Sequence, residues 1–153
     1  MDDNEFKKHL EPFRSRCNCA QTVLLAFQKE MDLDEKVLLD MGLGFGGGIA
    51  RTGQLCGAVS GGVMALGRIC SLAMEDPGDA KELTIKVVQQ FLETFQEVHG
   101  TIYCSELLDG LDLRSDEGRE QFRKTGLHEQ VCEPAVGTAI TAAGKLIGII
   151  RET

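Results

Sequence analysis

Four of the chain's six cysteines, Cys19, Cys56, Cys104 and Cys132, coincide with sequence signals for the start of a helix. Asn18-Cys19-Ala20-Gln21 has the form of a capping box, which puts Cys19 first in its helix. Thr52 is a cap for the helix carrying Cys56, and Thr101 for a short helix carrying Cys104. Glu133-Pro134 reads as cap and first helical position, because proline lacks the N–H that would go unsatisfied there, and this leaves Cys132 just outside the helix. A helix N-terminus offers unpaired N–H groups and partial positive charge, so it favours thiolate over thiol. Four such sites point to redox or metal chemistry.

The segment from Met41 to Gly53 is the second candidate for chemistry. It contains a formal G-x-G-x-x-G match at Gly42, Gly44 and Gly47, but it follows a helix instead of a strand and lacks the Lys-Ser or Lys-Thr of a P-loop, so nucleotide binding gains little support. Gly46, Gly47 and Gly48 allow backbone N–H groups to approach an anion or a sulfur closely. A tight interhelical loop is the alternative reading. Arg51, between the glycines and Cys56, could offset negative charge at the thiols. His128, one helical turn before Cys132, could bond a thiolate or replace a ligand, although a surface histidine beside Glu129 is the commoner situation. His9 and His99 read as helix-surface or helix-end residues, and Asp32, Asp34 and Glu35 lack the spacing of a calcium loop.

The elements that must position these residues are helical. Val23, Phe27 and Met31 continue the Cys19 helix at four-residue spacing. Asp34 to Met41 is a shorter helix closed by Gly42 in the left-handed conformation. Gln54 to Ala73 carries Cys56, Val59, Val63, Leu66 and Cys70 on one side, with Gly57, Gly61 and Ala65 opposite to admit a neighbour. After the break at Pro77-Gly78-Asp79, a long helix presents Leu83, Val87, Phe91, Phe95 and Val98 and ends at Gly100. Cys104 to Leu108 is a brief helix, Ser115 to Lys124 a charged one, and the last aligns Val136, Ala139 or Ile140, Ala143, Ile147 and Ile150. No alternating strand pattern of useful length and no internal repeat occurs. The expectation is one all-α domain over residues 1–153, a bundle of about five to seven helices with a glycine-rich interhelical loop.

Hydrophobic residues make up 42% of the 153, enough for a real core, and with seven Phe, one Tyr and no Trp that core should be aliphatic. The net charge of −8, with no basic stripe, argues against a nucleic-acid partner. Met1-Asp2-Asp3-Asn4-Glu5 lacks the features of a signal peptide, and Pro134 to Ile150, interrupted by Lys145, is too short to span a bilayer. A cytoplasmic location is therefore expected, where six cysteines suggest metal binding or transient redox chemistry instead of a disulfide framework.

In order along the chain, Asn18-Cys19-Ala20-Gln21, Gly44-Phe45-Gly46-Gly47-Gly48, Gly53-x-x-Cys56-Gly57-Ala58-x-x-Gly61, Cys104 with Glu106-Leu107-Leu108, and Cys132 resemble the redox-active C-GCAxxG-C-C family. The family label writes G-C-A where this chain reads Cys56-Gly57-Ala58, so the likeness rests on the four ordered cysteines and the glycine run. The resemblance implies a small bacterial redox protein with Cys19, Cys56, Cys104 and Cys132 as the family cysteines, and leaves Cys17 and Cys70 outside the pattern. Similar sequence is associated with the non-haem part of split-Soret cytochromes, where an iron–sulfur cluster is implied; no Cys-x-x-Cys-His for haem attachment is present here.

Two classes of function follow. The four cysteines converge as ligands of one iron–sulfur centre, [2Fe–2S] being the expected form, with the glycine N–H groups and Arg51 around it. Alternatively they act as two dithiol/disulfide pairs in an oxidoreductase or electron-transfer protein, although no C-x-x-C is present and Cys17-x-Cys19 is the only close pair. A structural zinc site lacks the usual short ligand knuckles, and four inert packing thiols are the plainest alternative. The expected partner is a redox protein of unknown identity, with a homodimer as an option.

Overall fold

The computed structural model describes residues 2–153, and among them the chain forms nine α-helices, one short 3-10 turn and one π turn, with no strand beyond a single antiparallel bridge between Leu55 and Tyr103. The fold is all-α, as expected, with more helices than the sequence pattern separates. Helix α1 (Asp3–Ser15) is an element the sequence argument does not supply; the Asp2 carboxylate caps it by accepting from the Glu5 N–H at 2.8 Å. The helix expected from Cys19 through Met31 is divided at Phe27 into α2 (Cys19–Ala26) and a single turn, α3 (Gln28–Met31).

Helix α4 (Glu35–Gly42) does not end on a left-handed glycine. Gly42 keeps a right-handed φ of −83° and leads into the 3-10 turn Leu43–Phe45, because its missing side chain is needed for packing: a Cβ there would stand 2.9 Å from Cγ of Gln21. Helix α5 (Gly57–Ala73) begins later than expected, with Cys56 at its cap position. In α6 (Pro77–His99), Asp76 is the cap and Pro77-Gly78-Asp79 form the first turn instead of a break before it; proline is well suited to that turn, where its absent N–H has no partner to lose. Gly100, at φ 77°, closes the helix as expected.

The remaining elements are the four-residue α7 (Cys104–Leu107), α8 (Asp116–Lys124) capped by Ser115, and the π turn His128–Cys132 running directly into α9 (Glu133–Glu152). The Glu133-Pro134 pair therefore does not start a new helix. Proline cannot donate to a carbonyl one turn back, and the preceding turn is widened so that the Glu133 N–H reaches the His128 carbonyl. The continuous helix from His128 to Glu152 is long and apolar enough, by length and composition, to cross a membrane, in contrast to the shorter segment expected; most of its apolar stretch is buried against the rest of the protein.

Helix α5 is the axis of the bundle, packed against α2, α6 and α9. Gly61 lets α2 approach, since a Cβ there would lie 2.8 Å from the Ala20 carbonyl, and Gly62 accepts the ring of Phe91. Val23 and Leu24 of α2, Val59 and Leu66 of α5, Phe91 and Phe95 of α6, and Val136 and Ala143 of α9 are fully buried and form one core. Val98, expected on the α6 apolar face, is 61% exposed, and Val63 is only partly buried.

Candidate functional site

The Cys19 position is built as the capping box requires. Asn18 Oδ1 accepts from the Gln21 N–H at 2.8 Å and Gln21 Oε1 from the Asn18 N–H at 2.9 Å. The same side chains reach across to α4: Asn18 Nδ2 donates to the Gly42 carbonyl at 3.0 Å and Gln21 Nε2 to that of Leu39 at 2.9 Å. A local capping signal thus also fixes the approach to the glycine run.

Cys56 and Cys104 are held as neighbours by backbone pairing. The Cys56 N–H donates to Ile102 O at 2.9 Å and the Cys104 N–H to Gln54 O at 2.8 Å. The caps expected for these two sites are not formed. Thr52 Oγ1 instead donates to the carbonyls of Gly48 and Ile49 within its own turn, and Thr101 Oγ1 accepts from the Tyr103 N–H. Cys104 is nonetheless the first residue of α7. Cys132 closes the π turn within a continuous helix, so the expectation of a free helix start at that cysteine is corrected.

Between Phe45 and Gln54 the chain makes a left-handed turn. Gly47, Gly48, Ile49, Ala50 and Arg51 all have φ between 50° and 69°, and Gly53 follows at 73°. The reversal is held by Ala50 N–H to Gly44 O at 2.8 Å, Arg51 N–H to Gly46 O at 3.0 Å and Gln54 N–H to Gly48 O at 2.8 Å. For the three residues with side chains, this conformation costs about 1–2 kcal/mol each. Such strain persists where surrounding contacts over-determine it, commonly at functional sites. The turn lies tight against the thiols: a Cβ on Gly48 would stand 2.5 Å from Cβ of Cys104, and one on Gly57 would stand 3.0 Å from Sγ of Cys19.

Cys19, Cys56, Cys104 and Cys132 all line one cleft of about 590 Å³, together with Gly46, Gly47 and Arg51. Gly48 is buried just behind the lining, against Cys104. All six cysteines are free thiols. Burial pushes Cys56 up to about 12 and Cys104 up to about 11 from the ordinary 9.0; Cys19 and Cys132 are raised for the same first reason. The thiols also raise one another: Cys19 acts on the other three, and Cys132 responds to all three. At Cys19 the N–H groups of Gly47, Ala20 and Ala58 work against burial but do not overcome it. The inference from helix starts to thiolates therefore fails in the metal-free protein, because desolvation outweighs the N–H groups.

Among the described residues, no three His, Cys, Asp or Glu side chains converge tightly enough to hold a metal ion as they stand. The donors nevertheless have the chemistry of a sulfur-rich site: the four expected thiols with Cys17 beside them, a backbone with N–H groups aimed at sulfur, and no carboxylate among the described lining residues. Cys70 lies elsewhere, fully buried beside Thr84; fourteen residues of helix after Cys56 place it ~21 Å along α5.

Several lining residues were not found from sequence. Cys17 faces the same cleft although it lies outside the expected set; its one-residue offset from Cys19 was the available signal. Phe13 stacks on His128 with ring centroids 4.0 Å apart and planes at 17°, and Phe122 meets the imidazole edge-on at 6.4 Å. His128 is thus packed in the cleft wall and not a bare surface histidine. Arg119 and Arg123 of α8 also line it, and nothing local in that charged helix marks them. His99 bonds Thr138 Oγ1 at 2.8 Å and packs on Phe95, tying α6 to α9 away from the thiols.

The sequence profile of the family described as "Putative redox-active protein (C_GCAxxG_C_C)" matches residues 17–146. An uncharacterized protein of Archaeoglobus fulgidus is 25% identical over 122 residues, covering 75% of this chain and 81% of that protein. No solved structure matches.

Proposed function

The chain belongs to the C-GCAxxG-C-C family of redox-active proteins, and from that premise we propose that Cys19, Cys56, Cys104 and Cys132 form a single redox centre as ligands of an iron–sulfur cluster, most simply [2Fe–2S]. The observation that carries this reading is that these four cysteines, from four separate segments, line one cleft. When bound, such a cluster supplies one-electron transfer at a potential tuned by N–H donors and solvent exposure. Gly47 and Ala58 offer their N–H groups to the Cys19 sulfur, and the left-handed turn holds the Gly47 donor in place without reorganisation.

The raised thiols favour metal ligation over the dithiol alternative. Thiol–disulfide exchange needs a thiolate, and groups titrating near 11 and 12 supply very little of it at neutral pH. A bound metal's positive charge offsets the cost of burying thiolates, so these positions suit ligation better than attack. The protein would serve as an electron-transfer protein or as the redox part of an oxidoreductase, exchanging electrons with a partner protein.

The test is the absorption spectrum, iron content and acid-labile sulfide of protein purified without oxygen. Brown protein with iron and sulfide in comparable amounts supports the cluster. Colourless, iron-free protein that reversibly forms disulfides among these four cysteines selects the dithiol reading instead.

A further inference from the structure

The cleft over the thiols carries a charge pattern opposite to that of the molecule. The chain has 24 Asp and Glu against 16 Lys and Arg, yet the charged side chains lining the cleft are Arg51, Arg119 and Arg123, with no Asp or Glu among the described lining residues. Arg119 and Arg123 are four residues apart on α8, so they share one face of that helix. The Arg119 guanidinium is fixed by the carbonyls of Leu113 at 2.8 Å and Arg114 at 2.9 Å and pairs with the fully exposed Asp116. Arg51 extends from the strained turn beside Cys56, and neither it nor Arg123 is in an ion pair among the described residues.

Size and lining complete the pattern. A volume of about 590 Å³ is that of a small-molecule site, and a compact cluster would fill only part of it. Phe13, Leu107 and Phe122 supply apolar wall in the same cleft. We infer that the cleft is a chamber for a small organic anion, its carboxylate or phosphate head held by Arg51, Arg119 and Arg123 and its apolar body lying against Phe13, Leu107 and Phe122 beside the cysteines. This names a substrate class for the redox centre and rests on that reading, while binding itself can be measured without it. Bidentate arginine contacts suit both head groups.

The experiment is displacement of 8-anilinonaphthalene-1-sulfonate from the full-length protein by octanoate, hexyl phosphate, octan-1-ol and octylammonium at low salt. Octanoate or hexyl phosphate should displace the probe about tenfold more tightly than octanol, with octylammonium weakest, and the tighter anion identifies the head group. Arg51→Gln and Arg123→Gln alter exposed side chains that hold no ion pair, and each should weaken the tighter anion about tenfold while leaving octanol unchanged. Equal displacement by octanol and both anions, wild-type anion affinity in both variants, or no displacement by any of the four would overturn the proposal. Iron and sulfide measured on the same samples separate the two readings: anion selectivity in iron-free protein sinks the cluster alone, and iron-bearing protein without selectivity sinks the anion chamber alone.

Discussion

Cys56 stands at the N-terminus of a seventeen-residue helix, where the dipole lowers a thiol, yet burial and the neighbouring Cys19 hold it near 12. In an unfolded chain the same group ionises near 9.0. The unfolded state therefore gives up its proton first. In metal-free protein this contribution to stability is intact below pH 9 and is lost as the pH rises towards 12, so denaturant midpoints should fall across that window. Cys56→Ser should flatten the decline; an equally steep fall in the variant would show that Cys56 is not responsible. The same protonation implies that metal uptake near neutral pH releases about one proton per cysteine ligand, over and above the protons that added hydrosulfide gives up, measurable by pH-stat. Cys70→Ser, remote from the cleft, should lower the melting temperature while leaving metal content unchanged.

At the scale of elements, the left-handed turn and the π turn hold the site by different means. Ala50, at φ 50°, carries a side chain in a conformation that suits glycine, so Ala50→Gly should stabilise the protein by roughly 0.5–1 kcal/mol despite glycine's usual entropic penalty. Gly48→Ala should do the reverse by several kcal/mol, because its Cβ would meet both Cys104 and the Gln54 backbone. Gly47→Ala is a poor probe of cofactor tuning for a related reason: it would strain φ 68° and press on the Arg51 backbone at 2.7 Å, so stability and potential would change together. Urea unfolding of the two informative variants checks the signs. Beside the π turn, Glu133 is nearly buried and takes a two-point contact from Arg14 of α1, at 2.6 and 3.0 Å, which depresses its carboxyl below the ordinary 4.5. A depressed carboxyl stabilises the fold above its unfolded value and loses that contribution as pH falls through the folded one. The protection of α1 amides, corrected for the intrinsic exchange rate, should accordingly fall below about pH 4.5, and Glu133→Gln should show the lower protection already at pH 7.

Across the whole molecule, Cys19, Cys56, Cys104 and Cys132 come from segments separated along nearly the full chain. A group that binds all four only in the folded state must stabilise the entire domain and not one loop. Loading should raise the melting temperature of every helix together, and removal of the metal by a chelator after reduction should lower it, as far-ultraviolet circular dichroism would show. Loss confined to the short Cys104 helix would contradict a shared centre. The acidic surface and the arginine-lined cleft also belong to this scale, since neither sign pattern can be assigned to one element.

The amino-acid order alone determined the helical class, the Asn18–Gln21 cap, the helix end at Gly100, and the ordered cysteines that place the chain in its family, because each is a local or periodic signal. It misled at Thr52 and Thr101, whose hydroxyls found carbonyl and amide partners nearer than the expected helix ends, and at Pro134, where a widened turn absorbed the proline without ending the helix. Tertiary structure decided the rest. Cys17 joins the cleft while Cys70 is carried away along α5, the thiols titrate high because packing removes water from them, and Arg119 and Arg123 line the same cleft because α8 lies against the π turn through Phe122 and His128. Desolvation and the meeting of distant segments depend on which surfaces come together, and no spacing within a single segment encodes that.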